Sequence, residues 1–282
     1  MEHLLLPLRK DLECLYENNF VENALNLNKS LGSSFLTNVI PMYFTGQFDA
    51  KTVFVMLNPG DGNAVESFLT VHKGKFKNLE EFIIEEINSK ICYGRIDRKR
   101  LDSFDLKQAA FLSNFEESGI YIPEHFWEKD ICTKYTAKEN VLMQKLQLEL
   151  IPYASNTFNL FKNLNEAIKH IEKFENHIFR IFDSIFEYER KFVIFGSKQF
   201  YNIFKTLSEK YQDIVSIDFG NLNIEKIPNL SKRVSFRNIK IRYFNKSVNA
   251  LIANSFPRRD LPNAYPQMSL YGRLCFQNYG NI

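Results

Sequence analysis

Residues 51–63 read KTVFVMLNPGDGN. An unbroken apolar run, Val53 to Leu57, stops at Asn58, Pro59 and Gly60. An apolar run without polar alternation is the pattern of a strand covered on both faces, as in a parallel sheet. Pro59 ends the run, because proline fixes its own φ, has no N–H and pushes the preceding residue into an extended conformation. The Asn58 amide is thereby held at the strand tip, where it can orient a water or bond a ligand edge. Gly60 lets the backbone turn and leaves room beside it. A plain strand-end turn can use the same residues, so the stretch locates a candidate site without stating its purpose.

Outward from this strand, short apolar runs alternate with amphipathic segments. Residues 3–30 read as helical and close at Gly32, and residues 40–50 read as a connection around Pro41 and Gly46. A long, charged, mostly helical insertion is expected over about 64–140, with NLEEFIIEEINSKI and SFDLKQAAFLSNF as its clearest helices. LQLELIPYAS, at 146–155, reads as a second strand stopped by Pro152. Ile178, Ile181, Phe182, Ile185 and Phe186 form one helical stripe, followed by a strand in KFVIFGS at 191–197 and a helix over roughly 198–210. Residues 233–243 alternate like a half-exposed hairpin strand, and NALIANSFPRR reads as a last buried strand running into a basic loop. The pattern predicts one domain over 1–282 of class α/β: three layers, α/β/α, around a central four-stranded, mainly parallel sheet. Ligands bind such sheets beyond the carboxyl ends of the strands. The tips at Asn58-Pro59-Gly60, at 152–155 and at 254–258 are therefore expected to gather.

Composition narrows the class. Hydrophobic residues make up 45% and charged residues 24% of 282, an ordinary globular balance. The 27 phenylalanines point to an aromatic core. The N-terminal apolar run is too short for a signal peptide, and no window approaches a bilayer span. Cys14, Cys92, Cys132 and Cys275 are scattered, which signals neither a zinc site nor a disulfide framework and suits a reduced, cytoplasmic protein. The net charge of +3 is unevenly placed. Residues 226–259 carry nine cations (Lys226, Lys232, Arg233, Arg237, Lys240, Arg242, Lys246, Arg258 and Arg259) and no acid. Taking those nine from 36 leaves 27 basic residues against 33 acidic ones elsewhere, a balance of −6. A basic segment on an acidic chain predicts a polyanion partner, unless its cations are dispersed over both sides of a hairpin.

The stretch VFVMLNPG resembles the first motif of the uracil-DNA glycosylase superfamily, in its mismatch-specific Asn-Pro-Gly form. IPMYFTGQFDAKTVFVMLNPG, LELIPYAS and VIFGSKQF are similar to an uncharacterised bacterial branch of that fold, and the resemblance covers about 40–63, 145–158, 190–204 and 248–260. It implies a uracil-DNA glycosylase-like fold and places Asn58 on the residue that positions the hydrolytic water. It places Gly60 where uracil-specific enzymes carry a tyrosine, which implies a more open pocket. The second motif of the superfamily, a His-Pro-Ser or Asn-Pro-Ser loop after the last strand, falls on Asn254-Ser255-Phe256-Pro257, with the proline displaced.

The implied activity is monofunctional hydrolysis of the N-glycosidic bond of a damaged or modified base flipped out of duplex DNA, in repair or in defence against foreign DNA. No metal or cofactor is needed, because the enzyme has only to flip the base, stabilise it as it leaves and supply a water. Asn58 and Asn254 are the expected catalytic residues. Pro59, Gly60, Asp61, Tyr153 and Ser155 are expected around the base, and Ser255, Arg258, Arg259 and Lys246 on the DNA. His72 and His125 are further polar candidates in the insertion. The expected protein is a monomer without membrane contact. Two alternatives stay open: a non-catalytic nucleic-acid-binding protein, and a nucleoside or nucleotide hydrolase on the same sheet. No nucleophile elbow, Walker A loop, dinucleotide fingerprint or zincin pair is present in the sequence.

Overall fold

The computed structural model of the protein describes residues 1–59, 74–91, 103–115, 145–155, 158–228, 230, 233–254 and 265–282. Among the described residues seven strands make one sheet: β1 (Phe44–Gly46), β2 (Thr52–Met56), β3 (Lys145–Glu149), β4 (Phe192–Phe195), β5 (Val215–Glu225), β6 (Val234–Tyr243) and β7 (Lys246–Ile252). Their order is β1-β3-β2-β4-β7-β6-β5. β3, β2, β4 and β7 are parallel neighbours, with Met56 opposite Glu149, Val55 opposite Phe195 and Phe195 opposite Ile252. The four expected parallel strands are thus the centre of a larger mixed sheet. β1 adds antiparallel to β3 on one side, and β6 and β5 add antiparallel to β7 on the other.

The centre is buried on both faces, as its sequence demands. Val53 and Val55 enter one hydrophobic core, and Phe54 and Met56 enter the other. The first core packs against α1 (Glu2–Asn18), α2 (Glu22–Leu31), α3 (Leu79–Ile91), α5 (Leu164–His170), α6 (Glu175–Phe186) and α7 (Gln199–Lys210). The second packs against α4 (Ser103–Leu112) and α8 (Tyr265–Gln277). α6 buries Ile178, Ile181, Phe182 and Ile185, the stripe expected of it. Both expected helices of the insertion form, as α3 and α4.

The structure adds to or differs from the sequence reading at four places. The segment 3–30 is two helices, because Asn19 takes the left-handed region at φ 61° and its N–H bonds Leu15 O, closing α1. The connection at 40–50 contains the edge strand β1. The strand at 233–243 is interior, since β5, whose tip reads as polar, pairs along its outer edge. α5 and α8 form in stretches whose periodicity is too short or too mixed to announce them.

Candidate functional site at the strand tips

Backbone hydrogen bonds carry the parallel pairing past the ends of the strands. Leu150 and Ile151 N–H donate to Met56 and Leu57 carbonyls at 2.9 and 2.8 Å, and Ser155 N–H reaches Pro59 O at 3.3 Å. Gly196 N–H donates to Val55 O at 2.8 Å and Ala253 N–H to Phe195 O at 2.9 Å. The four tips therefore stand side by side at one end of the sheet. Asn58 and Asn254 lie two strands apart, roughly 10 Å between backbones at the usual strand spacing.

The geometry of Asn58 follows from its position. Its Nδ2 donates to Ser155 Oγ at 2.8 Å, to Pro59 O at 3.0 Å and, more weakly, to Tyr153 O at 3.5 Å. Two carbonyls facing one atom of the amide identify it as the nitrogen. Asn58 Oδ1 has no hydrogen-bond partner among the described residues, and the side chain is half-buried. The amide is thus clamped by its donor end, and its acceptor end is left open. Ser155, 5% exposed, serves as the clamp and is not a free contact for a ligand.

Asn254 is buried, and its Oδ1 accepts from Ser235 N–H and Oγ, both at 3.0 Å. Its backbone N–H donates to Tyr271 Oη at 2.8 Å, and that hydroxyl donates to Ser235 O at 2.8 Å. The acceptor of Asn254 is therefore spent on holding β6 to β7. Its Nδ2 makes no hydrogen bond among the described residues, so what it has to offer a ligand is a donor.

Two expected site residues stand elsewhere. The Tyr153 ring is 2% exposed and turns into the core beneath α1 and α6. Its hydroxyl donates to Asp11 Oδ2 at 2.9 Å, and its ring lies edge-on to His177 at 6.2 Å. A ring held this way is not presented to the tips, so stacking on a base falls to other groups. Lys246 opens β7 at the opposite end of the sheet, where its Nζ donates to Phe186 O at 3.0 Å. Eight residue steps along β7 and its tip separate it from Asn254 by roughly 25 Å. Gly60, Asp61, Ser255, Arg258 and Arg259, with His72 and His125, lie outside the described residues.

The basic segment is also divided. On β6, Arg237 shares a face with Ile239 and Ile241 and lies over the Tyr201 ring at 4.5 Å. Lys240 and Arg242 point to the other face, and Arg242 pairs with Asp218 of β5 at 2.6 Å. Pairing two strands brings an acid from outside the segment onto a cation within it.

Beside the tips lies a polar ladder that the sequence did not announce. Lys145, Gln147 and Glu149 alternate with the core leucines of β3, yet all three are buried. Lys145 Nζ bonds Gln108 Oε1 on α4 and Gln147 Oε1, the latter at 2.7 Å; Gln147 Nε2 donates to Glu149 Oε1 at 2.7 Å. Glu149 Oε2 has no partner among the described residues. Burial, opposed by the Gln147 bond and by the charges of Lys145 and Arg180, pushes the Glu149 carboxyl up to about 8, so it is mainly protonated at neutral pH. On the other face, Arg180 Nη2 donates to the Glu149 and Leu150 carbonyls at 2.8 and 2.9 Å.

Among the described residues no group of three or more His, Cys, Asp or Glu side chains is arranged to hold a metal ion, and no helix is long and apolar enough to cross a membrane. Comparison with protein-family models, curated proteins and solved structures finds no match.

Proposed function

We propose that the chain is a monofunctional DNA glycosylase of the uracil-DNA glycosylase-like type, acting on a damaged or modified base. The observation that carries this reading is the Asn58 amide. It is clamped by Ser155 and two carbonyls, with its acceptor unpartnered among the described residues, in the row of tips of four parallel strands. A fixed acceptor there can hold a water against C1′ of a flipped nucleotide as the glycosidic bond breaks. The Asn254 Nδ2 donor suits a carbonyl of the departing base, on which negative charge grows. Gly60 leaves the pocket open to larger bases, and Arg258 and Arg259 suit phosphate contacts. A neutral amide is a weak base, which fits a leaving group activated by damage or modification.

The test is a panel of duplexes, each carrying one modified base, scored for abasic sites under single-turnover conditions with wild type and Asn58→Ala. Excision of at least one base, lost in the variant, supports the proposal. Salt-sensitive DNA binding with no excision across the panel points to a binding protein of the same fold. The division of the β6 cations over two faces, with Arg242 already paired, favours a second reading, a nucleoside or nucleotide hydrolase. Cleavage of free nucleosides or nucleotides without DNA affinity would select it.

A further inference from the structure

A concavity of about 720 Å³ opens on the helical face between α1, α2 and α6. Neither Asn58, Ser155 nor Asn254 lines it, so it is distinct from the strand tips. Its volume is within the usual range for small-molecule sites. Arg180 forms part of its wall and is 6% exposed. Its Nη2 is committed to two backbone carbonyls, whereas neither Nε nor Nη1 bonds any described group. The guanidinium lies over the Tyr43 ring at 4.5 Å and forms no ion pair among the described residues.

The surrounding carboxylates are engaged. Asp11, whose charge reaches Arg180 without pairing to it, accepts from Tyr43 and Tyr153 hydroxyls at 2.7 and 2.9 Å and from Asn23 at 2.8 Å. Asp183 accepts from Tyr243 Oη at 2.9 Å. At the rim, Lys173 Nζ donates to Ser30 O at 2.6 Å and has no carboxylate partner among the described residues. A buried cation that forms no ion pair is costly unless an anion meets it, and Arg180 is such a cation. Lys173, exposed at the rim, adds a second positive charge to the same concavity, which favours a dianion over a single carboxylate.

We infer that this concavity is a binding site for a phosphorylated small molecule, its phosphate held between Arg180 and Lys173. An occupant would also act on the strand tips. Arg180 grips the carbonyls of Glu149 and Leu150, and the loop that follows carries Ser155, the clamp of Asn58. The site is therefore placed to stiffen the Asn58 loop when filled, whatever reaction that loop serves.

Calorimetric titration with AMP, with inorganic phosphate and with citrate tests the inference on the full chain. AMP is expected to bind, inorganic phosphate to compete with it, and citrate to bind more weakly. Lys173→Gln removes one charge-assisted contact and should weaken AMP about 10–100-fold. Arg180→Met should weaken it at least as much, but it also breaks two backbone bonds. Ser30→Trp therefore serves as the second variant: it plugs the mouth, leaves Arg180 in place and should abolish binding with an unchanged circular dichroism spectrum. Binding of AMP with undiminished affinity by folded Ser30→Trp, or no heat from wild type with AMP or phosphate at millimolar concentration, overturns the inference. If citrate binds and phosphate does not, the assignment to a phosphorylated ligand is wrong.

Discussion

Replacing Glu149 with glutamine should change how stability depends on pH, and the structure sets both the sign and the size. In the native state burial raises this carboxyl from 4.5 to about 8. Below both values the side chain is protonated whether the chain is folded or not, and it contributes nothing to the difference. As pH rises above 4.5 the unfolded chain releases this proton and the native state keeps it, so stability falls until pH 8 and then levels off. At about 1.4 kcal/mol per pH unit the window sets a ceiling of about 5 kcal/mol. Relaxation and water entry make half of that a reasonable expectation. Glutamine has the same shape, keeps an acceptor for Gln147 Nε2 and never ionises. Urea unfolding followed by circular dichroism at pH 5.0, 6.5 and 8.5 measures the effect. Wild type and Glu149→Gln should have similar midpoints at pH 5.0 and separate as pH rises, the variant being more stable by about 2–3 kcal/mol at pH 8.5. If the two curves fall in parallel, the proton is not held at Glu149 and the reading of the ladder is wrong.

The opposite limb belongs to His177, which burial, helped by the charge of Arg180, lowers to about 3. Stability should fall as pH drops from 6.5 towards 3, and His177→Phe should flatten that acid limb in the same urea assay. Gly272→Ala should loosen the docking of α4 on α8, because an added Cβ would lie 2.2 Å from Phe111 O; a thermal melt should show a loss of about 1–3 kcal/mol or more. Asn254→Ala strips the acceptor from Ser235 N–H and Oγ, and should lower stability by about 1–3 kcal/mol in that melt. On the proposed glycosylase activity, Asn58→Ala should slow base excision about 10²–10⁴-fold and leave the DNA dissociation constant nearly unchanged, as single-turnover and binding assays on a substrate duplex would record.

The parallel centre was legible because its signal is local. Val53 to Leu57, and Phe192 to Phe195, are apolar at every position, which only two covered faces require. The helix Glu175–Phe186 was legible for the same reason, with its stripe at helical spacing. What the sequence hid depends on a partner distant in the chain. β1 has three residues and exists because β3 offers an edge. Nothing local to Lys145, Gln147 and Glu149 signals their burial; Gln108 of the insertion covers them with a matching amide. Arg180 sits beside an apolar stripe, and nothing in its neighbours signals that its carbonyl partners lie thirty residues earlier.

The candidate site divides along the same line. The place of Asn58 follows from Pro59 beside it, a local constraint, and the structure puts it at the tip. The direction of Tyr153 does not follow from its own loop. Asp11 and Tyr43 draw its hydroxyl inward, and their hydrogen bonds would be broken by turning the ring outward. Charge was the least legible property of all. Counting along residues 226–259 finds nine cations and no acid, but a strand places successive side chains on opposite faces, and its neighbour supplies acids that the count excludes. Asp218 stands opposite Lys240 in register and bonds Arg242, although it lies eight residues before the segment begins. A polyanion approaching β6 meets one face with Arg237 stacked on Tyr201 and another with Arg242 already neutralised. Electrostatic support for the proposed DNA partner therefore shifts from the hairpin to Arg258 and Arg259, which follow Asn254 in the sequence.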